Sequence, residues 1–136
     1  MKKRTAIPLM IAVTLAAGAA AAVPAMAAET SAAGVVVTYQ HPNSSTFKAI
    51  LTDPASIASA RAQLAGTEAD ATHPHGTIVY GAANENTGWT WHLDDTRQVE
   101  QSIEICDGTP EDVESHSITS DSYCPWDARV IALQDA

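Results

Sequence analysis

The sequence predicts an α+β domain: a small, mostly antiparallel sheet of about six strands with two helices and one disulfide. Three observations predict it. Short alternations of apolar and polar residues recur along the chain, each bounded by Gly, Pro, Asn or Asp, the pattern of half-buried strands. Asp53-Pro54 and Thr109-Pro110 each place a capping residue before a proline, as helices begin. Cys106 and Cys124 are the only two cysteines.

The N-terminus reads as an export signal. Lys2, Lys3 and Arg4 form a positive stretch, residues 6–23 are apolar and rich in Ala, and Ala25 and Ala27 supply the small residues a signal peptidase accepts. The apolar run is shorter than the roughly 20 strongly apolar residues of a spanning helix. Residues 1–27 are therefore expected to be removed, leaving a secreted chain of residues 28–136 with no membrane attachment. Residues 28–34 are small and polar and predict a flexible tail; the rest is a single domain.

Cleavage takes three of the seven basic residues. Lys48, Arg61, Arg97 and Arg129 then face all 16 acidic ones, a formal charge of −12. This excludes nucleic-acid binding through a basic patch, and favours a soluble monomer. The chain is also too short for a barrel enzyme or for a dinucleotide-binding fold with a substrate domain. In an exported chain the two cysteines predict one disulfide. Closing a loop of that length is worth on the order of 3 kcal/mol in the chain-entropy model.

Residues 35–39 are β-branched and read as a first strand; Phe47, Ala49 and Leu51 share one face of a second. Asp53, Pro54 and Gly66 delimit a helix whose Ile57, Ala60 and Leu64 form the packing face. Residues 67–74 read as a loop and 76–80 as a strand. Trp89, Trp91 and Leu93 share one face of the next strand, and residues 94–96 read as a turn. Val99, Gln101, Ile103 and Ile105 then alternate with polar residues, predicting a long strand. A second helix starts at Thr109 and runs to about His116, and residues 128–133 form the last strand.

Several groups suggest chemistry. His73, His75 and His92, with Asp94 and Asp95, suit a transition metal, but no helix-borne His pair supports one. Asp107, Glu111, Asp112 and Glu114 suit calcium only loosely, because their spacing matches no calcium loop and acids are expected at a helix start. No Ser lies in a nucleophile elbow. The reading is of no cofactor, no metal and no catalytic set. Trp126 follows Cys124-Pro125 in a tethered segment, so Pro125, Trp126 and Arg129 are the candidate interaction residues.

Residues 47–81, together with the segments TGWTWHLDD, SIEICDGTPEDVESH and YCPWDARVIAL, carry a further signal. Their combination of LTDP, HLD and CPW-x-x-R resembles a family of small secreted bacterial proteins called calmodulin-binding proteins. These share the N-terminal domain of a eukaryotic calmodulin-binding protein. The resemblance implies a binding domain. The charge argues against calmodulin as partner: its targets are basic amphipathic helices, whereas here the first helix carries one basic residue, Arg61, and the second none. The expected function is a secreted, non-catalytic interaction domain with an unidentified protein partner. The alternatives are a protease inhibitor using Cys124 to Arg129, and a small secreted enzyme or metal-binding protein.

Overall fold

The computed structural model describes residues 34–67 and 71–136. The predicted signal peptide, and the predicted tail up to residue 33, lie outside the described residues. Gly34 is held at the edge of the fold, its carbonyl accepting from Ala136 N at 2.8 Å.

Strand β1 (Val35–Gln40) is the middle of a three-stranded antiparallel sheet. It lies between β2 (Thr46–Leu51) and β6 (Arg129–Asp135), with Val37 opposite Ala49 on one side and Leu133 on the other. Alternation works as the sequence predicts: Val35, Val37, Tyr39, Phe47, Ala49 and Leu51 all turn inward and are buried.

Helix α1 (Pro54–Ala65) begins where Asp53 Oδ2 accepts from Ser56 N at 2.9 Å, and ends at Gly66 in the left-handed conformation (φ 70°). Ser56 and Ala60 are its buried residues, whereas Leu64 is about half exposed, so the predicted stripe packs only in part. Gln63 fixes the helix both to Thr72 and to β6. Its Nε2 donates to Thr72 O and its Oε1 accepts from Val130 N, both at 2.8 Å.

The second sheet consists of β3 (His73–Tyr80), flanked by β4 (Trp91–Val99) and the two-residue β5 (Ser122–Tyr123), again antiparallel. Helix α2 (Pro110–Glu114) starts with a capping box between Thr109 and Asp112.

The expectation of one sheet is thus corrected. Six strands, two α-helices and one disulfide are present among the described residues, but the strands form two sheets of three. Each sheet has one apolar face, and the two faces bury each other. Phe47 stands at the junction, its ring centroid 5.2 Å from Tyr39, 5.8 Å from Trp91 and 5.4 Å from Tyr123. Where β2 meets β4, side chains bond the two strands. Asn86, buried in a 3-10 turn at Asn84–Asn86, accepts from Lys48 N at 2.8 Å and donates to Trp91 O at 2.9 Å. Trp89 Nε1 donates to Thr46 O at 2.9 Å.

Two local expectations also change. Residues 94–96 do not turn the chain; they form a bulge within β4, with Asp95 at φ 49° and the register shifting opposite Gly76. Gly76 is required there, since a Cβ would lie 2.8 Å from Thr96 Oγ1 and 3.0 Å from Leu93 Cβ. And β3 begins at His73, within the predicted loop. Pro74 is compatible because β5 pairs only with Gly76 and Thr77, leaving β3 unpaired on that side at residue 74.

Candidate functional site

The predicted long strand through residues 99–106 does not form. Strand β4 ends at Val99, and residues 100–105 leave the sheet. The alternation there has no second strand to pack against, so Ile103 and Ile105 are 94% and 90% exposed. Two fixtures hold this segment. At its end the Cys106–Cys124 disulfide ties it beside β5, with Cα atoms 5.1 Å apart and Cys124 N donating to Cys106 O at 2.8 Å. In its middle, Ser102 Oγ lies 2.8 Å from His73 Nε2 and 3.0 Å from His75 Nδ1. His73 and His75 are two residues apart on β3 and so present their rings on the same face.

Glu104 adds a carboxylate, its Oε2 lying 3.7 Å from His75 Nε2. His73 is buried. That burial, and secondarily the nearby His75 and Arg129, hold its pKa below the ordinary histidine range against an opposing pull from Asp107. Its imidazole is therefore neutral at physiological pH. A cavity of about 340 Å³ opens beside the cluster, lined by His73, Glu100, Ser102, Trp126, Asp127 and Arg129.

The sequence-predicted residues are thereby sorted. Trp126 is 49% exposed on the cavity rim, its backbone N donating to Asp107 Oδ1 at 3.1 Å. Arg129 is exposed at the start of β6, its Nη1 donating to the carbonyls of Trp126 and Ala128. Pro125 is fully buried and supports the segment from beneath. Cys124 to Arg129 is a turn, with Ala128 N donating to Pro125 O at 3.2 Å.

Of the three histidines, His73 and His75 meet at Ser102, whereas His92 bonds Gly81 O at 2.9 Å at the other end of the hairpin. The acidic residues separate. Glu111 accepts from Ser45 and Asn43, Asp112 caps α2, and Glu114 accepts from Thr90 N and Thr90 Oγ1. Each carboxylate thus has its own protein donor, and they do not converge on one ion. His75 also comes close to both sulfurs, the three ligand atoms lying within 4.8 Å of one another, but bonded sulfurs are not thiolate ligands.

The family model of the N-terminal domain of calmodulin-binding protein 74 matches residues 31–136, which include both sheets, both helices and the disulfide. The chain belongs to this family. It is a calmodulin-binding-protein-like domain. No curated protein and no solved structure matches it. In this calmodulin-binding-protein-like domain the residues that sequence reasoning missed are Ser102, Ile103, Glu104 and Ile105. Their regular alternation concealed them, because a strand pattern carries no information about whether a partner strand exists. The one signal that pointed to the cluster was the group of His73, His75 and His92, of which the first two belong to it.

Proposed function

We propose that this calmodulin-binding-protein-like domain is a secreted, non-catalytic module that binds a protein partner through residues 100–105 and Trp126. The observation that carries the reading is the pair of nearly fully exposed isoleucines, Ile103 and Ile105, on a segment fixed by a disulfide and by two histidines. Exposed apolar side chains that serve no internal packing mark interaction surfaces. Fixing their backbone beforehand lowers the ordering cost of binding. Glu100, Glu104 and Asp107 surround them, so the matching partner surface is an apolar pocket with a basic rim.

The test is capture from the extracellular fraction of the producing culture, comparing wild type with a variant carrying Ile103→Ser, Ile105→Ser and Trp126→Ala. A protein retained by wild type and lost with the variant is the expected outcome. Equal retention by both would remove the segment from the interface. A serine-protease panel and a fluorophosphonate label address the inhibitor and enzyme alternatives; neither inhibition nor labelling of Ser102 is expected.

A further inference from the structure

We infer that His73 and His75 form a binding site for a transition-metal ion of borderline softness, such as zinc or copper, with water completing the coordination. The ion would take the place of Ser102 on the segment that the protein-binding reading also uses, but binding of the ion alone tests this inference separately.

The argument begins with β3. Positions 73 and 75 of one strand place two imidazoles side by side without help from any loop. Their Nε2 and Nδ1 atoms converge on one point, which Ser102 Oγ occupies at 2.8 and 3.0 Å. An ion at that point would draw each nitrogen about 0.9 Å closer to reach the usual zinc–nitrogen length. Ser102 can yield the position, since it lies on residues 100–105, outside both sheets. Glu104 is on the same segment, its Oε2 3.7 Å from His75 Nε2, the ring nitrogen that faces away from that point, so its carboxylate stands behind the imidazole and favours the tautomer that leaves Nδ1 free for the ion. The cavity of about 340 Å³ lined by His73 and Ser102 provides entry and room for water as the remaining ligands. Two imidazoles with open positions for water form a set that zinc and copper accept and that calcium and magnesium do not favour.

The experiment is calorimetry of the untagged, oxidised mature chain with zinc chloride and, separately, copper chloride. One-to-one saturable binding is expected. His75→Asn should weaken it at least about tenfold, Glu104→Gln by less, and Ser102→Ala not at all, because the hydroxyl is displaced rather than coordinated. His92→Asn should leave it unchanged. Each variant is first checked by its melting temperature, and the copper-loaded wild type should show two imidazole nitrogens by electron paramagnetic resonance. Absence of saturable heat with both ions would overturn the site, as would undiminished binding by a folded His75→Asn variant.

Discussion

The Tyr39 hydroxyl donates to Gln98 Oε1 at 2.8 Å, joining the centre of one sheet to the edge strand of the other. Gln98 completes the connection, its Nε2 donating to Thr72 Oγ1 at 2.9 Å and its backbone N to Ser56 Oγ at 3.0 Å. Ser56 Oγ in turn donates to Asp53 Oδ2, the cap of α1. Strands β1 and β4, helix α1 and Thr72 just before β3 therefore share one polar network. Tyr39→Phe should destabilise by about 1–3 kcal/mol, since it removes the donor and leaves Gln98 Oε1 buried without a partner. Chemical denaturation measures this. An unchanged midpoint would mean that the bond contributes nothing net.

The disulfide prediction concerns both mass and mobility. Oxidised protein should be two hydrogens lighter than its reduced form and should resist thiol labelling. The Cys106→Ser, Cys124→Ser double variant should lose on the order of 3 kcal/mol, with faster amide exchange concentrated in residues 100–107. Uniformly faster exchange would show that the bridge does not act through that segment.

Stability should fall in acid, and the sign follows from three carboxylates. Hydrogen bonds from Ser56 lower the pKa of Asp53, those from Thr109 lower that of Asp112, and that from Ser45 chiefly lowers that of Glu111. Each binds its proton more tightly in the unfolded chain, so its contribution is complete above the unfolded values near about 4 and is lost as pH falls through the folded ones. Melting temperature should begin to decline below about 6.5, where His73, held neutral by burial, binds its proton more tightly in the unfolded chain, and decline further below about 4 as the three carboxylates titrate. The Asp53→Asn, Asp112→Asn variant keeps capping side chains but should show a shallower acid decline; an identical slope would refute the assignment.

Alkali acts through Tyr39 and Tyr123, whose burial raises their pKa values well above the ordinary range. That contribution is present below the unfolded value and is lost as pH rises past about 10. Absorbance titration should show these two phenols ionising only together with unfolding. Normal, reversible ionisation of every tyrosine in the folded state would contradict it.

No calcium-dependent binding to calmodulin is expected from the mature chain at micromolar concentration. Its formal charge of −12 opposes an acidic partner, and neither helix offers a basic apolar face: α1 buries Ser56 and Ala60, and α2 is five residues long. Added salt should not restore binding, because screening supplies no anchors. Saturable calorimetric heat that vanishes with chelator would show otherwise, with Ile103, Ile105 and Trp126 the first residues to replace.

Export predicts that secreted material has an intact mass starting at Ala28. Retention of residues 1–27 would end that reading.

Local features were legible in the sequence wherever a short segment contains its own determinants. The cap at Asp53, the proline at 54 and the left-handed Gly66 delimit α1 without reference to the rest of the chain, and the alternations of β1 and β2 identify their buried faces. The two cysteines could be paired because no other cysteine competes. Tertiary structure alone decided the rest. A period-two pattern states which side of a strand is apolar, but not which strand lies beside it. One sheet and two sheets are therefore equivalent from sequence, and only the pairing of the strands, with Phe47 packed against Trp91 and Tyr123 between the sheets, separates them. For the same reason the alternation at residues 99–105 suggested a strand where the chain has no partner for it. Residues 67–74 read as a loop from sequence, so His73 and His75 came to share a face only because β3 begins at His73, and Ser102, 29 and 27 residues further on, joined them only because the chain leaves β4 at Val99 and is drawn back by Cys106. Such contacts depend on where the chain returns, which local preference does not encode.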